Sequence, residues 1–404
     1  GIKCDMKLFV CFIVVPFAVT AVHQLALTWN KPRKVFNYGD LEYATAVTIG
    51  TPPQEFIVAL ALNAPVLYVP HPDCNKKPCD QRRKFRIKDS STFKSGSNET
   101  FIVRFPVGGA KFLVGTDTVA LGGKNEKGLV IKNMDFGLAT QITPSFVQEP
   151  FDGVLGFAFA RYIGKMVPPI VKAYTEKVIE KPMFTVWLAS HGITATPKPG
   201  GAITYGGMDD DNCGAVIGYT DLTDPQFYQF KMDGIAMGTY VKMEAYTVTS
   251  EFSAWIIGPS DVVKQMAEIA GAKYNADRQF YEISCQATPP AIRIFMGNNI
   301  YYVDHTNYIV EIEQDRCMFA MMPDGNPFWT IGLPFIRQYC HIYDIGGKRI
   351  GFARPRSSPE PPTKAPEIST QPPQPEPTPH KSGTIISSFT LWIFLFFYVI
   401  IHFS

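Results

Sequence analysis

The chain has 404 residues, of which 46% are hydrophobic and 18% are charged. This composition excludes a disordered chain, a collagen and a membrane protein with many spans. Lys and Arg together number 38 against 36 Asp and Glu, a formal net charge of +2, so the overall charge gives no drive toward nucleic acid. One or two globular domains fit this length. Partners must therefore be inferred from local sites, and we predict no nucleic-acid partner.

Residues 6–21 have the pattern of a secretory signal peptide. Lys7 provides a positive charge, Leu8 to Phe17 form an apolar run, and Ala21 ends a small-residue pattern typical of a cleavage site. A membrane helix is the alternative, but the apolar run is short for a span. We predict cleavage after Ala21 and an extracellular protein.

Residues 383–404 form a hydrophobic C-terminal segment that we predict to be an anchor signal. No Lys or Arg follows its apolar run, and the small-residue triplet that starts at Ser382 precedes it. These features favour a GPI anchor attached at Ser382 over a single membrane span, although the polar spacer after the triplet is shorter than usual. In both cases the protein is held at the outer face of a cell-surface membrane.

A proline-rich segment, residues 357–381, separates this signal from the rest of the chain. Ten of the 25 residues from Pro355 to Pro379 are proline, with Ser and Thr between them. Such a composition favours extended polyproline II structure, so we predict a stalk that holds the domain away from the membrane. A ligand for proline-recognition domains is the alternative.

The cysteine count also indicates an extracellular protein. Of eight cysteines, Cys4 and Cys11 lie in the leader region, and the remaining six predict three disulfides. The residues alone leave the connectivity open, although Cys74 and Cys79 are close enough to form a tight loop. Asn98 begins an Asn-Glu-Thr acceptor for N-glycosylation.

Short runs rich in Val, Ile, Phe and Tyr, interrupted by Gly, Pro, Asn and Asp, extend from residue 37 to 356. They predict a mainly β structure with few helices, the clearest over Pro169 to Lys177 and Pro259 to Ala270. A weak internal repeat relates the segment that starts at Asp152 to the segment that starts at Trp329.

Because the two halves repeat, we predict two similar β lobes, residues 37–204 and 205–356.

Five motifs in this region together resemble the pepsin-like aspartic peptidases. They begin at Glu42 (EYATAVTIGTPPQEF), Gly115 (GTDTV), Asp152 (DGVLGFA), Phe227 (FYQFK) and Phe335 (FIRQYCHIYD). Asn212-Cys-Gly and Gln338-Tyr-Cys are similar to elements of the roundworm branch of that family. The resemblance implies an all-β bilobal fold with a central cleft, covered by a β-hairpin flap. It also implies three disulfides, Cys74 with Cys79, Cys285 with Cys317 and Cys213 with Cys340.

Catalysis in this family depends on two aspartates that share one proton, each in an Asp-Thr/Ser-Gly loop. Counting back from Leu67-Tyr-Val-Pro places Ala61 at the first aspartate position, and counting back from Gly258-Pro places Ser250 at the second. Neither residue is a carboxylate, and the chain contains no Asp-Thr-Gly or Asp-Ser-Gly. We expect the neighbouring Glu251 to point away from Ala61, because consecutive side chains in an extended segment face opposite sides.

The other positions of the predicted cleft also differ from the family. Asn63 and Phe252 replace the loop glycines, and Phe105 occupies the flap position where the family has Tyr. With Ser253 and Trp255, these residues predict an apolar cleft without catalytic carboxylates. Simple filling of the core is the alternative for the aromatic rings.

The sequence therefore predicts a secreted, membrane-tethered and catalytically inactive homologue, a monomer that binds a peptide, protein or glycan in the cleft. The alternatives are an acid aspartic-type endopeptidase with non-standard active-site residues, and a protein that acts only through its outer surface. No zinc-ligand spacing or phosphate loop is present, so we predict no metal and no cofactor.

One loop is strongly basic and is a second candidate site. It predicts binding of an anionic glycan, and the alternative is a solvated loop beside a disulfide. Its basic residues are Lys76, Lys77, Arg82, Arg83, Lys84, Arg86 and Lys88.

Overall fold

The computed structural model describes residues 23–28, 40–105, 108–124, 126, 128–159, 163–190 and 199–356. The predicted signal peptide, stalk, anchor signal and Ser382 lie outside these residues. Within the described ranges, no helix is long and apolar enough to cross a membrane.

Strands make up most of the described chain, which confirms the all-β prediction. The first ten strands are β1 His23–Thr28, β2 Ala44–Ile49, β3 Gln54–Ala61, β4 Leu67–Pro70, β5 Lys94–Phe105, β6 Gly108–Leu121, β7 Leu129–Ile142, β8 Gly153–Gly156, β9 Met183–Leu188 and β10 Pro199–Tyr205. The other described strands are β11 Cys213–Asp221, β12 Gln229–Met237, β13 Tyr240–Ser250, β14 Ile256–Pro259, β15 Lys273–Asn275, β16 Phe280–Ile283, β17 Ile292–Met296, β18 Asn299–Val303, β19 Ile309–Glu313, β20 Arg316–Phe319, β21 Met321–Asp324, β22 Trp329–Ile331, β23 Cys340–Asp344 and β24 Arg349–Pro355.

The helices of the described chain are short. The α-helices are α1 Pro169–Thr175, α2 Ser260–Ala270, α3 His305–Tyr308 and α4 Leu333–Gln338, and 3-10 helices cover Cys79–Gln81, Ile87–Asp89 and Pro144–Gln148. The first two α-helices confirm the helices predicted from sequence. Helix α2 ends at Gly271, whose φ of 75° is left-handed and therefore favours glycine.

The largest sheet joins strands from both halves of the chain. Its order is β11-β24-β23-β9-β10-β1-β2-β3-β8-β4-β7-β6-β5, and seven-stranded and four-stranded sheets complete the second half. Strand β1 lies before residue 37, where the first lobe was predicted to begin, and pairs with β10. The boundary between residues 204 and 205 stays a prediction.

The internal repeat is visible in how the strands pair. In the first half, β3 runs parallel to β8, which pairs antiparallel with β4, and β4 runs parallel to β7. In the second half, β13, β22, β14 and β21 pair in the same way. Each half thus carries the same four-strand unit, and the ends of β3 and β13 occupy matching places in it.

Three disulfides connect the described chain, with the pairings that the family resemblance implies. Cys74–Cys79 closes a five-residue loop, and Cys285–Cys317 lies in the second half. Cys213–Cys340 joins β11 to β23 across 127 residues of sequence.

Candidate functional site

Strand β3 brings the first predicted aspartate position to the cleft. Ala61 is its last residue, is partly buried and pairs with Gly156 of β8. The backbone N–H of Phe157 donates to the Ala61 carbonyl at 2.8 Å. Asn63 follows two residues later in the loop to β4. The first lobe therefore contributes a methyl group and an amide here, with no carboxylate among residues 61–64.

Ser250 is the residue that the sequence analysis assigned to the second aspartate position. It faces the protein core. Its side chain is 1% exposed, and its hydroxyl lies 3.0 Å from the Tyr343 hydroxyl. Tyr228 packs edge-on against the Tyr343 ring at 4.9 Å between centroids. A side chain in this environment does not reach a ligand in the cleft.

The strand register identifies a different counterpart for the end of β3. Ser250 pairs with Ile331, the residue before Gly332, and Gly332 matches Gly156 in the repeated motif. Ala61, at the end of β3, pairs with Gly156. The residue of the second lobe that lies opposite Gly332 is the one after Ser250, so Glu251 is the counterpart of Ala61. The backbone N–H of Glu251 donates to the Ile331 carbonyl at 3.1 Å.

A second pair of backbone hydrogen bonds supports this register. Leu60 donates its N–H to the Tyr43 carbonyl at 3.3 Å, and Ser250 donates to the Tyr228 carbonyl at the same distance. Leu60 and Ser250 are both buried. Ser250 therefore matches Leu60, the core residue before Ala61, and Glu251 matches Ala61.

Glu251 reaches the first lobe, contrary to the expectation that it would point away. Its side chain is partly buried and hydrogen-bonded to the side chain of Asn63, two residues after Ala61. Burial raises the pKa of the Glu251 carboxyl above its ordinary value, and the hydrogen bond to Asn63 opposes that shift. One carboxyl group thus lies between the two loops.

The difference arises from loop length. Five residues separate Ala61 from Leu67 at the start of β4, whereas four separate Glu251 from Ile256 at the start of β14. Counting back from Gly258-Pro with the spacing of the first loop therefore ends at Ser250, one residue before Glu251.

Phe252 and Trp255, two of the predicted cleft aromatics, each contact another ring. Phe252 lies edge-on to Phe157 at 6.5 Å between centroids, and Trp255 lies 6.0 Å from Phe280. The backbone N–H of Trp255 donates to the Ser253 hydroxyl at 3.2 Å. Phe252 and Trp255 also pack against the main core, which favours core filling for these two rings.

Strands β5 and β6 form the flap hairpin. Phe105 pairs with Gly108 at its described end and contacts Phe146 edge-on at 6.1 Å. Asn98 is exposed on β5, where the register with β6 shifts between Ser95 and Thr100. This position is accessible for the predicted glycosylation, which stays a prediction.

The basic loop does not form one continuous charged surface. Arg82 points inward and donates to the carbonyls of Phe146 and Glu149, the latter at 3.2 Å. Arg83 forms an ion pair with the buried Asp152 at 2.7 Å.

Two more basic residues of this loop have neighbouring partners. Arg86 pairs with Asp89 at 2.5 Å, and Lys84 donates to the Asn75 side chain at 2.7 Å. The exposed residues of the loop that make no ion pair within the described chain are Lys76, Lys77 and Lys88. The predicted glycan site is therefore reduced to these three lysines.

Sequence reasoning also missed a pair of buried carboxyl groups, Glu42 and Glu149, beside Arg82. Glu42 is the first residue of the EYATAVTIGTPPQEF motif, but nothing in the sequence shows that its side chain is buried. Within the described ranges, no group of three or more His, Cys, Asp or Glu side chains is arranged to hold a metal ion.

Comparison with known proteins gives a consistent result. A family model described as eukaryotic aspartyl protease matches residues 42–355. The chain is 36% identical to aspartic protease 6 of Caenorhabditis elegans over 388 residues, covering 86% of this chain and 99% of that protein. It is 29% identical to aspartic protease 2 of Necator americanus, covering 79% and 84%. It is 28% identical to pepsin A of Suncus murinus, covering 81% and 84%.

Proposed function

The chain belongs to the eukaryotic aspartyl protease family, and from this premise we propose that it binds a peptide, protein or glycan in the cleft without cleaving it. The observation that carries this proposal is the composition of the cleft floor. The first lobe places Ala61 where the second lobe places Glu251, so a single carboxyl group faces the cleft at the paired positions.

A single carboxyl group does not supply the chemistry of this family. Two adjacent carboxyl groups share one proton, so that one form activates water while the other protonates the scissile carbonyl. The Asn63 amide is hydrogen-bonded to Glu251. It is neutral at every pH, so it cannot act as the second carboxyl group. Together the amide and the carboxyl group offer both donors and acceptors to a bound backbone or hydroxyl group.

The proposal includes the location of the protein. We infer that it is secreted and held at the cell surface by the predicted GPI anchor at Ser382. Release of the protein from intact cells by a GPI-specific phospholipase supports the anchor. Retention on the membrane after that treatment supports a single span instead.

The decisive experiment measures proteolysis of a denatured protein substrate by residues 22–381, from about pH 2.5 to 7, with and without pepstatin. This range covers the pH at which a carboxyl pair works. We expect no cleavage by the native sequence. Pepstatin-sensitive cleavage by the native sequence would overturn the proposal.

Designed variants sharpen the test. Ala61→Asp supplies the missing carboxyl group opposite Glu251, and we expect it to create measurable cleavage that Ala61→Asp with Glu251→Gln lacks. The matched control is Ala61→Asp with both Ser250→Asp and Glu251→Gln. We expect it to be inactive because residue 250 faces Tyr343 in the core. Activity in that control would restore Ser250 as the second position.

An acid endopeptidase is the second candidate, because Glu251 is a partly buried carboxyl whose pKa is raised. This function requires cleavage by the native protein that Glu251→Gln abolishes. The same proteolysis assay therefore separates the two candidates directly.

A further inference from the structure

A small cavity in the first lobe is lined by several ionisable groups that the proposed function does not use. Its volume is about 60 Å³, and its lining includes Glu42, Tyr68, Arg82, Glu149 and Asp152. Apolar side chains of β3, β7 and β8 and of the segment before β8 complete its walls.

One carboxyl oxygen of each glutamate in this cavity lacks a hydrogen-bond donor within the described chain. Oε2 of Glu42 and Oε2 of Glu149 are both buried, and neither has a hydrogen-bond partner within the described chain. The two carboxyl groups lie within hydrogen-bonding reach of each other. Two carboxylates have no hydrogen to share, whereas a single proton between them supplies the missing donor. The arrangement is therefore complete only when one glutamate is protonated.

Charges on the surrounding elements do not neutralise the pair when both glutamates are ionised. Asp152 accepts hydrogen bonds from the backbone N–H of Ile57 at 2.8 Å and from Arg83 Nε at 2.7 Å, so Arg83 balances its charge. The Tyr68 hydroxyl is buried, and burial raises its pKa, so it stays neutral. Among the described residues, Arg82 is the cation that acts on Glu42, and it also interacts with Glu149.

Arg82 and Glu149 connect this cluster to the flap. Arg82 donates to the carbonyls of Phe146 and Glu149, at the end of the 3-10 helix Pro144–Gln148. Phe146 in turn contacts Phe105 of the flap. A change at the carboxyl pair therefore reaches the end of the flap hairpin where Phe105 pairs with Gly108, through one short segment.

We propose that Glu42 and Glu149 form an acid-stabilised latch that fixes the segment 144–149, and through it the end of the flap hairpin at Phe105 and Gly108. At acid pH the shared proton joins the two side chains. When that proton is lost, two buried carboxylates repel each other with one guanidinium between them, and the segment loosens. This inference does not depend on whether the cleft binds or cleaves its ligand.

The direction of the pH effect follows from linkage. Burial, together with the hydrogen bond and charge of Glu149, raises the pKa of Glu42 well above its ordinary value of 4.5, and Arg82 opposes the shift. Because the closed state holds its proton more tightly, its stabilisation is complete below the ordinary pKa and is lost as the pH rises through the raised one. Over that interval the ratio of closed to open states falls by up to about tenfold per pH unit.

Hydrogen–deuterium exchange of the full ectodomain at pH 5 and pH 7.5, corrected for intrinsic rates, tests the latch. We expect protection of residues 142–152 and of the flap end at Phe105 and Gly108 to fall about tenfold or more at the higher pH. In Glu42→Gln the amide replaces the protonated carboxyl, so we expect protection to change by less than about twofold. Glu149→Gln is the matched variant and should behave in the same way.

Helix α2 in the second half is the internal control: it does not line the cavity, so its protection should be equal in all proteins at a given pH and should not fall at the higher pH. The latch is refuted by wild-type protection of residues 142–152 that does not depend on pH. It is also refuted by an equal loss in Glu42→Gln and Glu149→Gln, since that loss would arise from other groups.

Discussion

His341 is expected to make the protein sensitive to acid. Its imidazole is fully buried in β23, between rings of Phe335 and Phe352 at 5.1 and 5.0 Å. Nδ1 lies 3.0 Å from the Tyr339 carbonyl, which only accepts, so Nδ1 carries the proton. Nε2 is buried and has no partner within the described chain. The neutral ring fits this site, and a charged ring does not.

The size of the effect follows from the pKa. Burial lowers the pKa of His341 from 6.5 to about 4, and the hydrogen bond to Tyr339 opposes that shift. The unfolded chain therefore binds a proton that the folded chain does not, and stability falls as the pH drops from about 6.5 to 4. The two pKa values differ by an amount equivalent to about 3 kcal/mol of unfolding free energy.

His341→Gln removes this titration, because the amide keeps a donor for the Tyr339 carbonyl and stays neutral. Urea unfolding, followed by circular dichroism at pH 7.5 and pH 4 with disulfides intact, gives the unfolding free energy of both proteins. We expect the wild type to lose about 3 kcal/mol more than the variant between these pH values. Any packing cost of the substitution is present at both pH values and cancels in the comparison. An equal loss in both proteins would show that His341 does not cause the acid sensitivity.

Two further predictions concern the central sheet and the basic loop. Replacing Cys213 and Cys340 by Ser should lower the unfolding free energy by up to about 5 kcal/mol, because this disulfide closes a long loop. Replacing Cys74 and Cys79 by Ser should lower it by only about 2 kcal/mol, because that loop is short. Urea unfolding measures both changes. Heparin affinity at low salt should fall after reversal of the three exposed lysines, and should fall less per charge removed after Arg86→Gln, because Arg86 is already paired with Asp89. Equal losses per charge would contradict a local site. The three lysines are Lys76, Lys77 and Lys88.

The fold class followed from local patterns in the sequence. Runs of β-branched and aromatic residues marked strands, and Ser260 and Asp261, which suit a first helical turn, marked the start of helix α2. Strand β1 was missed because it precedes the motifs that defined the first lobe. Its pairing with β10, about 175 residues later, is a long-range contact that local patterns do not encode.

The candidate site was predicted in part. The count back from Leu67 reaches Ala61 at the end of β3, because the loop between β3 and β4 has the length that the count assumes. The count failed at Glu251 because the matching loop is one residue shorter, and only the pairing of β13 with β22 shows this. Arg82 was assigned to a surface patch because a charge count does not show which side chains turn inward.

Glu42 and His341 respond to acid in opposite directions, and this determines how the proteolysis experiment must be interpreted. Acid stabilises the closed arrangement around Glu42, whereas it destabilises the sheet around His341 as the pH falls toward 4. Below that pH, absence of cleavage therefore has two alternative explanations: the protein lacks a carboxyl pair, or it is partly unfolded. Near pH 5 the latch is closed, and the stability lost through His341 is about 2 kcal/mol, less than the loss of about 3 kcal/mol at pH 4. Ala61→Asp should therefore show its clearest activity there, and circular dichroism at each assay pH separates lost structure from lost chemistry.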